Sequence, residues 1–131
     1  MSQTVCLLVD DEPAIRAYLR AILEKHDIRC LEAGSATEAM KTVTNLSGSL
    51  DLVVTDVVMP GDMNGVDLAH WLAASYPRVG VILITGYAAE EQVKRASNTF
   101  RLIQKPFQAD RIWDAVRQAT GTLESGGRPV S

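Results

Sequence analysis

The sequence has few cysteines and no long apolar run, and each scarcity excludes a class of protein. Cys6 and Cys30 are the two cysteines among 131 residues. They are too few and too far apart for a disulfide framework or a structural zinc site, so both are predicted to be small core residues. The longest apolar runs, such as 5–9 and 81–84, fall far short of the roughly 20 residues of a membrane-spanning helix. We therefore expect neither a disulfide-stabilised protein nor a membrane protein.

Neither sign of charge is in large excess. The 13 Lys and Arg residues oppose 16 Asp and Glu residues, which gives a formal net charge of −3. Such a balance, without a long basic cluster, offers no electrostatic surface for a phosphate backbone, so direct nucleic-acid binding is not expected. The N-terminus lacks the basic region of a signal peptide, and a cytoplasmic location is therefore the expectation.

Hydrophobic periodicity alternates along the chain between strand-like runs and helix-like stripes. Continuous apolar runs predict buried strands, and apolar residues at helical spacing predict amphipathic helices. The predicted strands cover residues 5–9, 28–33, 50–55, 79–85 and 100–104. A helix is predicted after each strand, including a polar one at 88–97 and a last one that carries Ile112, Val116 and Ala119.

Five successive βα units predict a doubly wound α/β domain. The right-handed crossover between parallel strands places the helices on both faces of the sheet. Pro13 lies near the first turn of one predicted helix, and Ser35 is the predicted N-cap of the next, with Glu38 as its partner in a capping box. Residues 1–119 form this domain, and residues 120–131, rich in Gly and Ser, are predicted to be a flexible tail or linker.

Polar residues end most of the predicted strands. The first strand ends in Asp10 and Asp11, the third in Asp56, the fourth in Thr85 and the fifth in Lys105. Ligands bind outside the carboxyl ends of the strands in an open α/β sheet, so these side chains are expected to meet at one edge. Three neighbouring carboxylates repel one another unless a cation neutralises them, and hard oxygen ligands suit Mg²⁺. The sequence therefore predicts a magnesium site.

The same edge is suited to a phosphoryl group. A metal ion, the ammonium of Lys105 and the hydroxyl of Thr85 together form the electrostatic clamp that phosphoryl transfer requires. Asp56 is the predicted nucleophile because it stands alone at a central strand end, whereas Asp10 and Asp11 are adjacent and placed to hold metal. Carboxylates do form acyl phosphates as covalent intermediates.

Four short motifs resemble the receiver domain of bacterial two-component response regulators. They are VDDE at 9–12, TDVVMPG at 55–61, ITGY at 84–87 and QKPF at 104–107. Each motif is weak alone, but their order at successive strand ends is specific, and the resemblance covers roughly residues 4–120. It implies a flavodoxin-like (βα)5 fold with strand order 2-1-3-4-5. The string ILITGY at 82–87 looks like that of single-domain regulators and of the C-terminal receivers of hybrid histidine kinases.

The resemblance implies a phosphorylation-dependent signalling module of a phosphorelay. Asp56 would accept a phosphoryl group from a phosphohistidine on a sensor histidine kinase or a histidine phosphotransfer protein, and would slowly lose it by self-catalysed hydrolysis. Thr85 and Lys105 would bind the phosphoryl oxygens. Mg²⁺, or Mn²⁺ in its place, would be held by Asp10, Asp11, Asp56 and the backbone carbonyl of Val58. Of these, Asp11 would bind the ion directly and Asp10 would act mostly through a metal-bound water.

The resemblance also implies an output surface. A downstream protein would bind the face formed by the predicted helix at 88–97, the fifth strand and the last helix. A cis bond between Lys105 and Pro106 is common in the family and is expected here. The family usually has an aromatic switch residue three positions before the motif lysine, where this chain has Leu102, and Phe100 lies two positions further away.

Three other functions fit the sequence less well. A phosphatase with an aspartyl nucleophile needs a second acid two residues after the nucleophile. This chain has Val58 at that position and therefore lacks a general acid for the leaving group. A flavin- or nucleotide-binding module needs a phosphate-binding loop after the first strand, and that loop is acidic here. A phosphorylation-independent adaptor would not need all five site residues. No independent turnover enzyme is expected unless the chain is a fragment of a hybrid histidine kinase.

Overall fold

The structure, a computed structural model, describes residues 3–86 and 100–120. Within them five parallel strands form one sheet in the order 2-1-3-4-5. The strands are β1 (Val5–Val9), β2 (Arg29–Ala33), β3 (Leu52–Asp56), β4 (Gly80–Thr85) and β5 (Arg101–Gln104). The helices described are α1 (Pro13–Glu24), α2 (Ala36–Asn45), α3 (Gly65–Ser75) and α4 (Ala109–Thr120).

The predicted fold class and strand order are confirmed. β1 has its predicted bounds, the other four strands begin one or two residues later than predicted, and β3 extends one residue further, to Asp56. The predicted helix at 88–97 lies outside the described residues, as does the predicted tail beyond Thr120. In the part of the chain that the structure describes, no helix is both long and apolar enough to cross a membrane.

The central strands are buried on both faces, which accounts for their continuous apolar sequences. Successive side chains of a strand point to opposite faces of the sheet. Leu8 of β1 therefore packs in a cluster with residues of α1 and α4, and its neighbour Leu7 packs in a second cluster with residues of α2 and α3. Two adjacent residues of one strand thus hold both helical layers against the sheet.

Side chains cap the starts of α2 and α3. The Ser35 hydroxyl accepts a hydrogen bond of 3.1 Å from the Glu38 N–H, as the predicted N-cap requires. Glu38 accepts instead from the N–H of Gly34, at 2.6 Å, so the reciprocal half of the predicted capping box is displaced by one residue. A complete box, not predicted, joins Asn64 and Asp67 through bonds of 2.9 and 3.0 Å. It fixes the start of α3 beside the end of β3.

Both cysteines are buried and free, in agreement with their predicted place in the core. Cys6 and Cys30 are register partners on β1 and β2. Burial raises the pKa of the Cys30 thiol to about 11 and raises the pKa of Cys6 well above its ordinary value. Because the thiolate is the reactive form of cysteine, the raised pKa and the burial both lower the reactivity of these thiols at neutral pH.

Gly65 allows α3 to approach the end of β3. The N–H of Gly65 donates to the carbonyl oxygen of Val57 at 2.8 Å. A Cβ atom built on Gly65 would lie 2.0 Å from the carbonyl oxygen of Asp56, which is closer than any real contact. The neighbouring atom is backbone and cannot rotate away, so the close approach requires a residue without a side chain.

Gly65→Ala is expected to lower the free energy of unfolding by about 1–3 kcal/mol, because either α3 or the backbone at Asp56 must shift to make room. Urea denaturation measures this change. The matched control is Gly86→Ala, since a Cβ atom at Gly86 would meet no atom of the described residues within 4 Å. A Gly65→Ala protein as stable as the Gly86→Ala protein would contradict the close approach.

Candidate functional site

The carboxyl edge of the sheet brings together residues from several strands. Asp56 and Thr85 end β3 and β4, while Asp10 and Lys105 directly follow β1 and β5. The N–H of Lys105 donates to the carbonyl oxygen of Thr85 at 2.7 Å, which continues the pairing of β4 with β5 up to the site. The parallel direction of the strands is the reason that these distant positions share one edge.

Three carboxylates lie against one another at this edge. Asp10, Asp11 and Asp56 each offer an oxygen atom, and these atoms all lie within 4.8 Å of one another. Asp10 and Asp56 are buried, whereas Asp11 is exposed. The N–H of Glu12 donates to Oδ1 of Asp10 at 2.9 Å. Oδ2 of Asp10 is buried and has no hydrogen-bond partner among the described residues.

This arrangement fits a divalent cation. A buried carboxylate oxygen without a partner carries a large desolvation cost, which a bound cation would offset. Three carboxylates supply the hard oxygen ligands that small divalent cations prefer. Asp10, Asp11 and Asp56 would hold such an ion, and when bound it would supply positive charge for the oxygens of a phosphoryl group.

Burial and charge both act on the ionisation of the acids. Burial raises the pKa of Asp10 above its ordinary value, the N–H of Glu12 opposes this change, and the charge of Asp56 adds to it. Burial also raises the pKa of Asp56, against the opposing effect of Lys105. Nζ of Lys105 lies 3.5 Å from Oδ2 of Asp56, at the long end of an ion pair. The charge of Lys105 therefore does not fully neutralise the carboxylates, and a further positive charge in the pocket would stabilise them.

Thr85 and Val58 were the other predicted site residues. Thr85 is buried, and its hydroxyl donates to the carbonyl oxygen of Gly86 at 3.1 Å. The side chain of Val58 is 46% exposed, and the role of its backbone carbonyl as a metal ligand stays a prediction. The bond between Lys105 and Pro106 is cis, as expected.

Arg16 contacts the site and was not predicted. Nη1 of Arg16, on α1, donates to the carbonyl oxygen of Asp10 at 2.5 Å. In the sequence this arginine is one more polar residue on the solvent side of an amphipathic helix. Its contact with the strand end depends on how α1 packs, which no local pattern reveals.

The fold and the site together define a doubly wound α/β domain with an acidic pocket and an opposing lysine at the carboxyl edge of its sheet. Residues 6–117 match the family model of the response regulator receiver domain. The chain belongs to this family, the receiver domains of two-component systems, which confirms the resemblance found in the four motifs. Its function is therefore that of a receiver in phosphorylation-dependent signalling.

Individual relatives support the assignment. The chain is 33% identical over 114 residues to the sensor kinase CckA of Brucella abortus, a match covering 86% of this chain but 12% of that kinase. It is 29% identical over 114 residues to the sporulation initiation phosphotransferase F of Bacillus subtilis, covering 86% of this chain and 90% of that protein. The chain thus spans a small part of the first relative and most of the second.

A solved structure extends the comparison to the ligands. The response regulator protein TrrA from Thermotoga maritima, in complex with Mg²⁺ and BeF, superposes with a TM-score of 0.76 at 28% identity. The match covers 88% of this chain and 98% of that one.

Asp10→Asn is expected to stabilise the protein at neutral pH, in the absence of divalent cations, by about 0.5–2 kcal/mol. The substitution removes a buried charge and retains an oxygen for the N–H of Glu12. Urea denaturation in the presence of EDTA measures the gain. Asp62→Asn, at an exposed acid, is the control and should change the free energy of unfolding by less than about 0.5 kcal/mol.

The gain should depend on pH. The pKa of Asp10 is raised in the folded state, so this state holds the proton more tightly than the unfolded chain. The contribution of Asp10 to stability therefore falls as pH rises from the ordinary pKa of 3.8 through the raised value. Below pH 3.8 both states are protonated and the advantage of the variant should vanish. A variant less stable than the wild type at neutral pH would contradict this account.

Proposed function

We propose that Asp56 is the phosphoacceptor of this receiver and that it takes its phosphoryl group from a phosphohistidine. The observation that carries the proposal is the place of Asp56, whose carboxylate lies 3.5 Å from the Lys105 ammonium and within 4.8 Å of an oxygen of each of the other two acids. A carboxylate oxygen of Asp56 attacks the phosphorus atom, and the phosphorus–nitrogen bond to the donor imidazole breaks. The imidazole leaves with the electron pair of that bond, and an acyl phosphate is formed.

Lys105 and Thr85 act on the phosphoryl oxygens. The ammonium of Lys105, which is paired with Asp56 before transfer, is proposed to move its charge to a phosphoryl oxygen afterwards. The hydroxyl of Thr85 exchanges its present acceptor, the carbonyl of Gly86, for another phosphoryl oxygen. Preorganised donors of this kind stabilise the charge that develops in the transition state without large rearrangement.

Mg²⁺ is the proposed ion of the acidic pocket, with Mn²⁺ as a substitute. Its proposed ligands are carboxylate oxygens of Asp10, Asp11 and Asp56 and the backbone carbonyl of Val58. All are hard oxygen donors, which are the ligands that Mg²⁺ prefers. The related regulator TrrA was solved in complex with Mg²⁺ and BeF, which supports the assignment.

Slow hydrolysis of the acyl phosphate is proposed to end the signal. Val58 stands two residues after Asp56 and is half-exposed, and its side chain can neither donate nor accept a proton. Water therefore receives no acid–base assistance from this position. The same residue disfavours an aspartyl phosphatase acting on phosphomonoesters, and the intact set of charged groups disfavours a phosphorylation-independent adaptor.

The phosphohistidine donor is proposed to be a sensor histidine kinase or a histidine phosphotransfer protein that docks on an apolar patch beside Lys105. The patch consists of Ile15, Tyr18, Pro106 and Phe107, and with Lys105 it lines a cavity of about 520 Å³. Tyr18 is 45% exposed, and its ring centroid lies 5.9 Å from that of Phe107. Exposed apolar surface that adjoins a reactive group is typical of a protein-binding site.

The output surface is proposed to include β5 and α4, together with the predicted helix at 88–97. A groove between β5 and α4 combines the apolar Leu102 with Arg111 and Asp114, and such a mixture is typical of interfaces that form and dissociate. Phosphorylation would shift the population between two states of this surface, one of which binds a downstream protein. A cytoplasmic location and the absence of direct nucleic-acid binding stay predictions.

Incubation with acetyl phosphate and Mg²⁺ is expected to add one phosphoryl group to the wild-type protein, detected as an intact-mass increase. Asp56→Asn should abolish the adduct because an amide is a far poorer nucleophile than a carboxylate. Asp62→Asn replaces an exposed acid and should leave labelling unchanged. The proposal fails if no adduct forms or if Asp56→Asn is labelled as readily as the wild type.

Lys105→Ala is expected to uncouple phosphorylation from the output surface. Phosphorylation of the wild type should change the hydrogen exchange of β5, since Lys105 joins the end of this strand to Asp56. At an equal phosphorylated fraction, verified by intact mass, Lys105→Ala should lose this change. Lys41→Ala, at an exposed position of α2, is the matched control. A response of β5 in Lys105→Ala as large as that of the wild type would refute the role.

A further inference from the structure

We propose that Arg16 is a positioning residue that sets the geometry of the metal-binding acids. The inference rests on the proposed function, because it assumes that the acidic pocket binds Mg²⁺. Nη1 of Arg16 donates to the carbonyl oxygen of Asp10 at 2.5 Å, and Nε donates to Oε1 of Glu32 at 2.7 Å. The side chain is 18% exposed. One guanidinium therefore joins the end of β1 to β2 beneath the pocket.

The bond from Arg16 acts on the peptide that links the two adjacent acids. The carbonyl of Asp10 and the N–H of Asp11 belong to one planar peptide unit. Holding that carbonyl in place therefore sets the direction in which the chain enters Asp11. The N–H of Asp10 is already bound to the carbonyl oxygen of Ala33 at 3.1 Å. With the bond from Arg16, the backbone of Asp10 is held on both sides.

The effect of Arg16 is geometric more than electrostatic. Its hydrogen bond to Glu32 holds the pKa of that carboxyl below its ordinary value, so Glu32 is ionised at neutral pH. The paired charge of Glu32 reduces the field that the guanidinium exerts on the pocket. The planar guanidinium of Arg16 donates hydrogen bonds in two fixed directions, one to the carboxylate of Glu32 and one to the carbonyl of Asp10. A lysine ammonium cannot reproduce this forked geometry.

Arg20 provides a matched comparison on the same helix. Its Nε donates to the other oxygen of Glu32, at 2.8 Å. Its Nη2 donates to a backbone carbonyl as well, but to that of Cys30 on β2, at 3.0 Å. Arg20 thus makes the same two kinds of bond as Arg16, with the same carboxylate, at a strand position away from the acids.

The test is the direct binding of Mg²⁺ to the full chain, freed of metal with EDTA and dialysed, by isothermal titration calorimetry. Arg16→Lys keeps the charge and loses the fork, and it should raise the Kd for Mg²⁺ about tenfold, the size typical for residues that orient metal ligands. Arg20→Lys should leave the Kd within about twofold of the wild type. A wild-type Kd in Arg16→Lys, or an equal increase in both variants, would overturn the proposal.

A second measurement separates positioning from catalysis. In labelling by acetyl phosphate, Arg16→Lys should raise the Mg²⁺ concentration for half-maximal rate and leave the rate at saturating Mg²⁺ within about twofold. A lower saturating rate with an unchanged half-maximal concentration would also overturn the proposal. If Arg16→Lys does not fold, Glu32→Ala takes its place, since it removes the acceptor of the Arg16 Nε–H, and an unchanged Kd for Mg²⁺ there has the same meaning.

Failure of this inference is distinguishable from failure of the proposed function. Calorimetry reports Mg²⁺ binding whether or not Asp56 accepts a phosphoryl group. A wild-type protein that binds Mg²⁺ without being labelled, together with a weakened Arg16→Lys, would support the positioning role and refute the phosphoacceptor. A wild-type protein that is labelled without binding Mg²⁺ would refute the positioning role and leave the phosphoacceptor supported.

Discussion

Repulsion between the carboxylates of Asp10, Asp11 and Asp56 is the constraint around which the carboxyl edge of the sheet is organised. Their oxygens are within 4.8 Å of one another, and two of the three residues are buried. The strands that lead to these acids, β1 and β3, are packed between apolar residues on both faces of the sheet. The surroundings respond with positive charge from Lys105 and with N–H groups, and burial still raises the pKa of two of the acids. The repulsion that Lys105 and the N–H groups do not neutralise favours the binding of a cation.

Most of the fold, and the residues that form the acidic pocket, could be predicted from the sequence because burial leaves a clear pattern in it. Strands covered on both faces have almost no polar positions, so β1 and β3 are visible as uninterrupted apolar runs, and the acids after them mark where burial stops. Parallel pairing then brings those ends to one edge. These predictions needed the order of the elements and no detail of how the helices pack.

Details that depend on packing were not predictable in the same way. Glu38 bonds to Gly34 instead of Ser35, a choice between neighbouring N–H groups that composition does not encode. The contact of Arg16 with Asp10 depends on how α1 lies over the sheet. The capping box of Asn64 and Asp67 is different, since its spacing is present in the sequence, although the Pro- and Gly-rich turn before it favours a loop there.

The position usually occupied by an aromatic switch illustrates how the family pattern varies. Leu102 and Phe100 both pack against a small cluster that contains Val57 and Leu83. Val57 directly follows the proposed phosphoacceptor, so β5 is in contact with the backbone of the site through apolar packing as well as through Lys105. The branched aliphatic side chain of Leu102 makes this contact without an aromatic ring.

The burial of both cysteines has a practical consequence for observing this protein at work. Their thiols are shielded and protonated at neutral pH, so maleimide reagents would react with them slowly. Site-directed labelling therefore does not require the two native cysteines to be replaced first. A cysteine introduced at a surface position of α4 or β5 would take up a fluorophore or spin label selectively, and distances across the domain could be followed as the acidic pocket fills.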